Sequence, residues 1–225
     1  MSTEVAEPQP ATYRFSVLFK ALAVMWRTAG PALLFIVINT VVQAVLTWLD
    51  VQSGVSFGFL IAFVVSALSA LVLYSVLTSC ALSAVDGDRT SVLSRAKTNF
   101  GRFTGWALLQ WLLILVVSLF QPALVLLVAA LTPFLPIAAM DGQRNSLGAN
   151  FRTLGRKWGR WLLTSVILIV AGLVFFLLSA LNTFFIMGTP AAIFFWFIIG
   201  LISWWLLTAW TLVYRAAGTE DAGRS

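Results

Sequence analysis

The chain contains no histidine and only one cysteine, Cys80. The missing histidine removes the commonest general base and the commonest metal ligand. A single cysteine excludes an intramolecular disulfide and a cysteine metal cluster. The sequence also has no phosphate-binding P-loop, no dinucleotide fingerprint and no H-E-x-x-H motif. We therefore predict no catalytic residue, no metal site and no cofactor, and we expect that the protein is not an enzyme.

Charge is equally scarce: only 10% of the 225 residues are charged, whereas soluble domains carry about 25%. Apolar residues make up 60% of the chain, and six runs are near the ~20 residues that a membrane-crossing helix needs. The predicted spans are Gly30–Leu49, a helix within Phe57–Val85, Thr104–Phe120, Pro122–Met140, Trp161–Leu181 and Ala191–Tyr214. None of them contains Asp, Glu, Lys or Arg. The sequence predicts an all-α polytopic membrane protein with six transmembrane helices arranged as three hairpins. Only Gln121-Pro122 joins the third span to the fourth, so a re-entrant hairpin is an open alternative there.

All 14 basic residues lie in the N-terminal segment, in the connections after the second and fourth spans, or in the C-terminal segment. If all six spans cross, these segments are on the same side of the membrane. The basic residues are Arg14, Lys20, Arg27, Arg89, Arg95, Lys97, Arg102, Arg144, Arg152, Arg156, Lys157, Arg160, Arg215 and Arg224. The opposite side has Asp50 and no basic residue. By the positive-inside rule both termini are cytoplasmic, in a plasma membrane. The net charge of +6 indicates attraction to anionic lipid headgroups and not to nucleic acid.

One pattern, Arg-x-x-Gly-x-x-Leu-Leu, begins three of the apolar runs. It occurs in "WRTAGPALL" at 26–34, "GRFTGWALL" at 101–109 and "GRKWGRWLL" at 155–163. Residues 16–34 and 91–109 are identical at nine of 19 positions. We predict one membrane domain over 13–215 with three repeats, at about 13–85, 86–140 and 141–215. Residues 1–12 and 216–225 are predicted to be disordered cytoplasmic tails.

Each repeat is predicted to begin with an amphipathic interfacial helix on the cytoplasmic side. "DGDRTS" at 86–91 matches "DGQRNS" at 141–146, where Asp-Gly makes a turn and Thr90/Ser91 or Asn145/Ser146 caps the next helix. In the third repeat, apolar residues share one helical face: Leu147, Phe151, Leu154, Trp158 and Trp161. Polar residues take the other: Asn150, Thr153, Lys157 and Arg160.

The shared residues of the junction have predicted roles. Arg27, Arg102 and Arg156 are expected to face lipid headgroups, with their aliphatic stems in apolar surroundings. Gly30, Gly105 and Gly159 are expected to act as hinges or as helix-packing positions, because Gly101/Gly105 and Gly155/Gly159 also form G-x-x-x-G.

Through these junctions and the amphipathic segments before them, the chain resembles uncharacterised bacterial six-span membrane proteins. These include the membrane domain attached to some glycerophosphodiester phosphodiesterases. The resemblance covers much of 13–215 and implies a six-span fold in a bacterial inner membrane. Their catalytic domain needs histidine and acidic metal ligands, which this chain does not supply, so the resemblance does not imply their activity.

A few polar residues and two prolines lie inside the spans, namely Asn39, Gln43, Gln110, Asn182, Pro133 and Pro136. The amides either link helices through hydrogen bonds or line a substrate cavity. The prolines break the fourth span, either as a static kink or as part of a transport site. Asp86, Asp88 and Asp141 either form turns and caps or bind a cation at the cytoplasmic rim.

Two functions follow from these alternatives. The first is a non-enzymatic integral membrane protein with a scaffolding, regulatory or membrane-homeostasis role, acting with a membrane protein partner. The second is a transporter, or the membrane subunit of one, for a small or lipid-like substrate.

Overall fold

A computed structural model describes residues 16–49, 56–88, 92–121, 124–155, 158–184 and 188–222. Every regular element in these ranges is a helix, which confirms the all-α prediction. The helices are α1 (Ser16–Met25), α2 (Ala29–Trp48), α3 (Phe57–Asp86), α4 (Val92–Phe120), α5 (Leu124–Leu131), α6 (Leu135–Met140), α7 (Ser146–Gly155), α8 (Trp158–Phe184) and α9 (Thr189–Ala222). A 3-10 turn, Trp26–Thr28, joins α1 to α2. The predicted tail at 1–12 lies outside the described residues. Because α9 continues to Ala222, the tail predicted from 216 does not begin there.

Several of the helices have the length and composition of membrane spans. Within the described ranges, four apolar stretches are long enough to cross a membrane: Ser16–Trp48, Phe57–Asp86, Val92–Phe120 and Thr189–Gly218. Two shorter apolar stretches, Leu124–Met140 and Leu162–Phe175, fall in the predicted fourth and fifth spans. Consecutive helices pack together, α2 on α3, α4 on α5 and α6, and α8 on α9. The protein is therefore all-helical, with several helices suited to a membrane.

The core lies where three helix ends converge. Residues 75–84 of α3 are all buried, as is every residue of α6. The middle and C-terminal part of α9 adds Trp204, Leu207 and Val213 to the same cluster. The opposite ends of the helices expose large apolar side chains such as Phe57, Phe120 and Trp48. The protein thus has one closely packed end, which we call the Asp-Gly end because Asp86-Gly87 and Asp141-Gly142 lie there.

The first repeat has a separate helix before its span. Ile36 of α2 contacts Gly200 of α9, and the Trp205 Nε1 donates to the Leu18 carbonyl at 2.9 Å. If α1 were collinear with α2, Leu18 would lie about 18 residues beyond Gly200 on the antiparallel α9, near Gly218. Its contact with Trp205 means that α1 crosses α9 at an angle to α2.

The second repeat does not have such a separate helix, and here the prediction is wrong. Helix α4 runs without interruption from Val92 through Gly105 to Phe120. The reason is visible in the sequence: Pro31, in the first turn of α2, has Trp106 as its counterpart in the second repeat. Proline is tolerated in a first helical turn but breaks a helix interior, so only the first repeat is interrupted.

Helix α7 of the third repeat is separate, and its two faces have different surroundings. The polar side, with Asn150 and Thr153, is buried against the protein, and Asn150 is fully inaccessible. The apolar Leu147 and Phe151 are 41% and 49% exposed. In a membrane protein the surroundings are themselves apolar, so hydrogen bonding inside the protein selects the polar face for burial.

The junction glycines have open space beside them in the described part of the chain. Among the described residues, a Cβ added at Gly30, Gly105 or Gly159 would meet no atom within 4 Å. The described contacts therefore give no support to the G-x-x-x-G packing interpretation, which stays a prediction. The close helix approach occurs instead at Gly200, where an added Cβ would lie 2.8 Å from the Ile36 Cγ2.

We expect Gly200→Ala to lower the free energy of unfolding by about 1–3 kcal/mol, because the new methyl group overpacks the contact between α2 and α9. Unfolding in detergent micelles measures the loss, and Ile36→Ala should relieve it in the double variant. Gly105→Ala is the control and should be neutral or stabilising by up to about 1 kcal/mol. Equal effects of the two alanines would contradict the close approach.

Candidate functional site

The most extensive polar structure in the described residues is an ion-pair network at the Asp-Gly end. Its centre is Arg215, near the end of α9. The Arg215 Nε and Nη2 donate to the two carboxylate oxygens of Asp86, each at 2.8 Å. The Arg215 Nη1 and Nη2 donate to Asp141 at 2.8 and 2.6 Å. One guanidinium thus forms a bidentate pair with each of two carboxylates, the strongest geometry for such pairs.

Two further side chains complete this network. The Arg95 Nη1 donates to the Asp86 Oδ2 at 3.0 Å, and the Tyr214 hydroxyl donates to the Asp141 Oδ2 at 3.1 Å. We call these five residues the Arg215 cluster. The side chain of Asp141 is only 12% exposed, against 33% for Arg215. The cluster therefore joins α3, α4 and α9 to the turn after α6.

The turns that carry the two aspartates follow the prediction from sequence. Gly87 and Gly142 have φ of 78° and 79°, the left-handed conformation that ends a helix. Asn145 also caps α7 as predicted, because its Oδ1 accepts from the Gly148 N–H at 2.8 Å. Thr90 and Ser91 lie outside the described residues.

The alternative of a metal ion at these aspartates gains no support from the geometry. The cation held by Asp86 and Asp141 is the guanidinium of Arg215. In the part of the chain that the structure describes, no group of three or more His, Cys, Asp or Glu side chains is placed to hold a metal. These two carboxylates act as structural partners of an arginine.

The junction arginines bind helix ends. The Arg27 Nη1 donates to the Ala84 carbonyl at 3.3 Å, in the last turn of α3. The Arg102 Nη1 donates to the Gly142 carbonyl after α6, beside the Asn99 Nδ2, which donates to the Met140 carbonyl at 2.9 Å. Cations are favourable at the carbonyl end of a helix, where the dipole is negative. Arg156 lies outside the described residues, and headgroup contact stays a prediction for all three arginines.

The break at Pro133 and Pro136 is tied by side chains from neighbouring helices. Pro136 has no N–H for the Thr132 carbonyl, and the Gln110 Nε2 of α4 donates to that carbonyl at 3.1 Å. From α7, the Asn150 Nδ2 donates to the Leu131 carbonyl at 2.7 Å, and its Oδ1 accepts from the Phe134 N–H at 3.0 Å. These contacts favour the static kink over the transport site.

Asn39 and Gln43 are buried between α2 and α3, where two serines face them. The Ser69 hydroxyl donates to the Asn39 Oδ1 at 2.8 Å. The Ser66 hydroxyl donates to the Gln43 Oε1 at 2.9 Å, and the Gln43 Nε2 donates back to the Ser66 carbonyl at 3.3 Å. Both amides thus link helices. Asn182 is in α8, and its side chain lies outside the described residues.

Sequence reasoning missed the structural roles of two polar residues, Arg215 and Asn150. Arg215 ends the sixth apolar run as Asp86 and Asp141 end the second and fourth, and this matching position was the available signal. The two serines could have been found from their spacing. Ser66 and Ser69 are three residues apart and so share one face of a helix, just as Asn39 and Gln43, four residues apart, share a face of theirs.

Comparison with protein-family models, with curated proteins and with solved structures yields no match. The fold and the site therefore define only a class of protein. It is an all-helical protein with helices suited to a membrane, whose closely packed end is joined by an arginine–carboxylate network. The resemblance to six-span bacterial membrane proteins stays a prediction.

Proposed function

We propose that this is a six-span, non-enzymatic membrane protein of a bacterial plasma membrane, with both termini and the Asp-Gly end in the cytoplasm. Its role is scaffolding, regulation or membrane homeostasis, exerted through the cytoplasmic surface. The pairwise packing of α2 with α3, of α4 with α5 and α6, and of α8 with α9 supports three hairpins.

The observation that carries the proposal is the way the interior polar groups are used. Arg215 engages Asp86 and Asp141 through four N–H···O contacts. The two amides at the helix break, Gln110 and Asn150, bond backbone groups of the chain itself. These side chains hold helices together or support the backbone, as expected of a rigid scaffold.

One cavity favours the second function, transport of a lipid-like substrate. It lies between α2 and the start of α9, has a volume of about 440 Å³ and is lined by apolar side chains such as Val41, Ile193 and Phe197. Thr40 also lines it, but its hydroxyl is buried away from the cavity surface, so the lining is apolar. An apolar, lipid-like substrate would fit such a lining.

Two substitutions separate these functions. Asn39→Leu removes the bond to Ser69 and should cost about 0.6–2 kcal/mol of stability, the range measured for interhelical hydrogen bonds in membranes. Thr40→Val removes a hydroxyl that has no partner within the described chain, so it should leave stability unchanged and is the matched control. Unfolding in detergent measures both.

Function is measured with the same proteins in vesicles loaded with a cell extract, by mass spectrometry of what the vesicles retain. A scaffold leaves the contents as in protein-free vesicles. A species that wild-type protein releases and protein-free vesicles retain would establish transport and overturn our proposal.

A further inference from the structure

Three exposed arginines lie on or around the turn after α6 and the helix that follows it. The Arg102 side chain donates to the Gly142 carbonyl. Arg144 is exposed two residues further along the same turn. Arg152 is exposed on α7, the helix that follows this turn. We call Arg102, Arg144 and Arg152 the arginine corner.

The neighbouring carboxylate does not neutralise this corner. Both oxygens of Asp141 are engaged by Arg215, and one also accepts from Tyr214. Within the described residues, the three arginines form no salt bridge with a carboxylate. The Arg152 Nε donates only to the Gly148 carbonyl of its own helix, at 3.3 Å. The corner therefore presents cationic N–H donors to its surroundings.

Apolar side chains lie directly beside these cations. Leu147 and Phe151 of α7 are about half exposed, and Arg152 follows Phe151 in the sequence. The opposite face of α7, with Ala149 and Asn150, is buried against the protein. One exposed helix face thus combines apolar groups with a cation, the pattern of a helix at the boundary between acyl chains and phosphates.

We propose that the arginine corner binds the phosphate of an anionic phospholipid, with Leu147 and Phe151 against its acyl chains. Arginine is suited to phosphate because its planar fork donates two parallel hydrogen bonds. The N-terminus of α7, next to Arg144, adds a favourable dipole for an anion. The inference rests on the proposed function, which places the Asp-Gly end at the cytoplasmic leaflet.

The test uses the purified full chain in a zwitterionic detergent and measures its affinity for short-chain phosphatidylglycerol. Short-chain phosphatidylcholine and inorganic phosphate are the comparison probes. Wild-type protein should prefer phosphatidylglycerol to both. Arg144→Gln combined with Arg152→Gln should weaken that binding about thirtyfold, which corresponds to the loss of two cations near an anionic headgroup.

Lys20→Gln combined with Lys97→Gln is the matched control, since it removes the same charge from exposed positions on α1 and α4. It should change the affinity little, and Arg144→Lys combined with Arg152→Lys should retain part of it. Circular dichroism checks that each variant is folded. If the double glutamine variant is unfolded, the affinity of the double lysine variant tests the proposal instead.

Three results would overturn the inference. Equal losses in the control and the arginine variants would mean nonspecific charge attraction. Inorganic phosphate binding as tightly as the lipid would assign the corner to a free anion. No preference for the anionic lipid would remove the site. All three leave the proposed function standing, since only labelling of the Asp-Gly end from outside the cell would overturn its placement.

Discussion

Replacing Arg215 with glutamine is expected to lower the free energy of unfolding by about 3 kcal/mol. The substitution removes four N–H···O contacts at once and leaves Asp86 and Asp141 close together without the cation between them. Removing one partner of a buried ion pair typically costs about 3–5 kcal/mol. We expect the lower end because a third of the Arg215 side chain is exposed.

Arg95→Gln is the control for Arg215→Gln. Arg95 contacts Asp86 through one N–H···O bond, whereas Arg215 makes four such contacts, so the loss of Arg95 should cost less, about 1–2 kcal/mol. Arg215→Lys should fall between the two, because lysine keeps the charge but cannot form two bidentate pairs. Denaturant unfolding in micelles provides the comparison. If Arg215→Gln were no worse than Arg95→Gln, the cluster would not hold the helix ends together.

Asn150→Leu is expected to cost about 2–5 kcal/mol, although leucine is close to asparagine in size. It leaves the Leu131 carbonyl and the Phe134 N–H without partners at the break between α5 and α6. Each unpaired buried polar group costs about 1–3 kcal/mol.

The same face of α7 offers a control for Asn150→Leu. Thr153 is equally buried, but its hydroxyl donates only to the Ala149 carbonyl within α7, at 2.9 Å. Thr153→Val should therefore cost less than about 1 kcal/mol. The readout is again denaturant unfolding in micelles, and similar losses for the two variants would mean that Asn150 does not support the break.

Composition and periodicity were enough to predict the helices and their turns. The apolar runs without charge correspond to α2, α3, α4 and α9, and the left-handed Gly87 and Gly142 follow directly from the Asp-Gly pairs. These features depend on neighbours in the chain, and local sequence specifies them.

The partners of the polar groups were not predictable in the same way. Arg215 is 129 residues from Asp86, and its position at the end of the sixth apolar run does not show by itself that the two residues meet. The buried face of α7 was not predictable for a related reason. Amphipathicity shows that Asn150 and Leu147 lie on different faces, but a membrane surrounds the protein with apolar groups, so it does not show which face is buried.

The continuity of α4 could have been predicted from the sequence. The shared Arg and Gly of the junction suggested equal geometry in all three repeats, yet the difference between Pro31 and Trp106 controls whether the helix is interrupted. A single residue that removes a backbone donor therefore outweighs the nine identities between the first two repeats.

The central claim is that the ends of α3 and α6 meet α9 on the cytoplasmic side of the membrane. Cysteine accessibility tests it most directly, in a Cys80→Ser background with single cysteines at Asp88 and Gln143. Both positions are exposed in the turns beside the Arg215 cluster. Our account predicts that a membrane-impermeant maleimide labels neither position in intact cells and labels both after the membrane is opened. Labelling of either position from outside would contradict the topology and the proposed function with it.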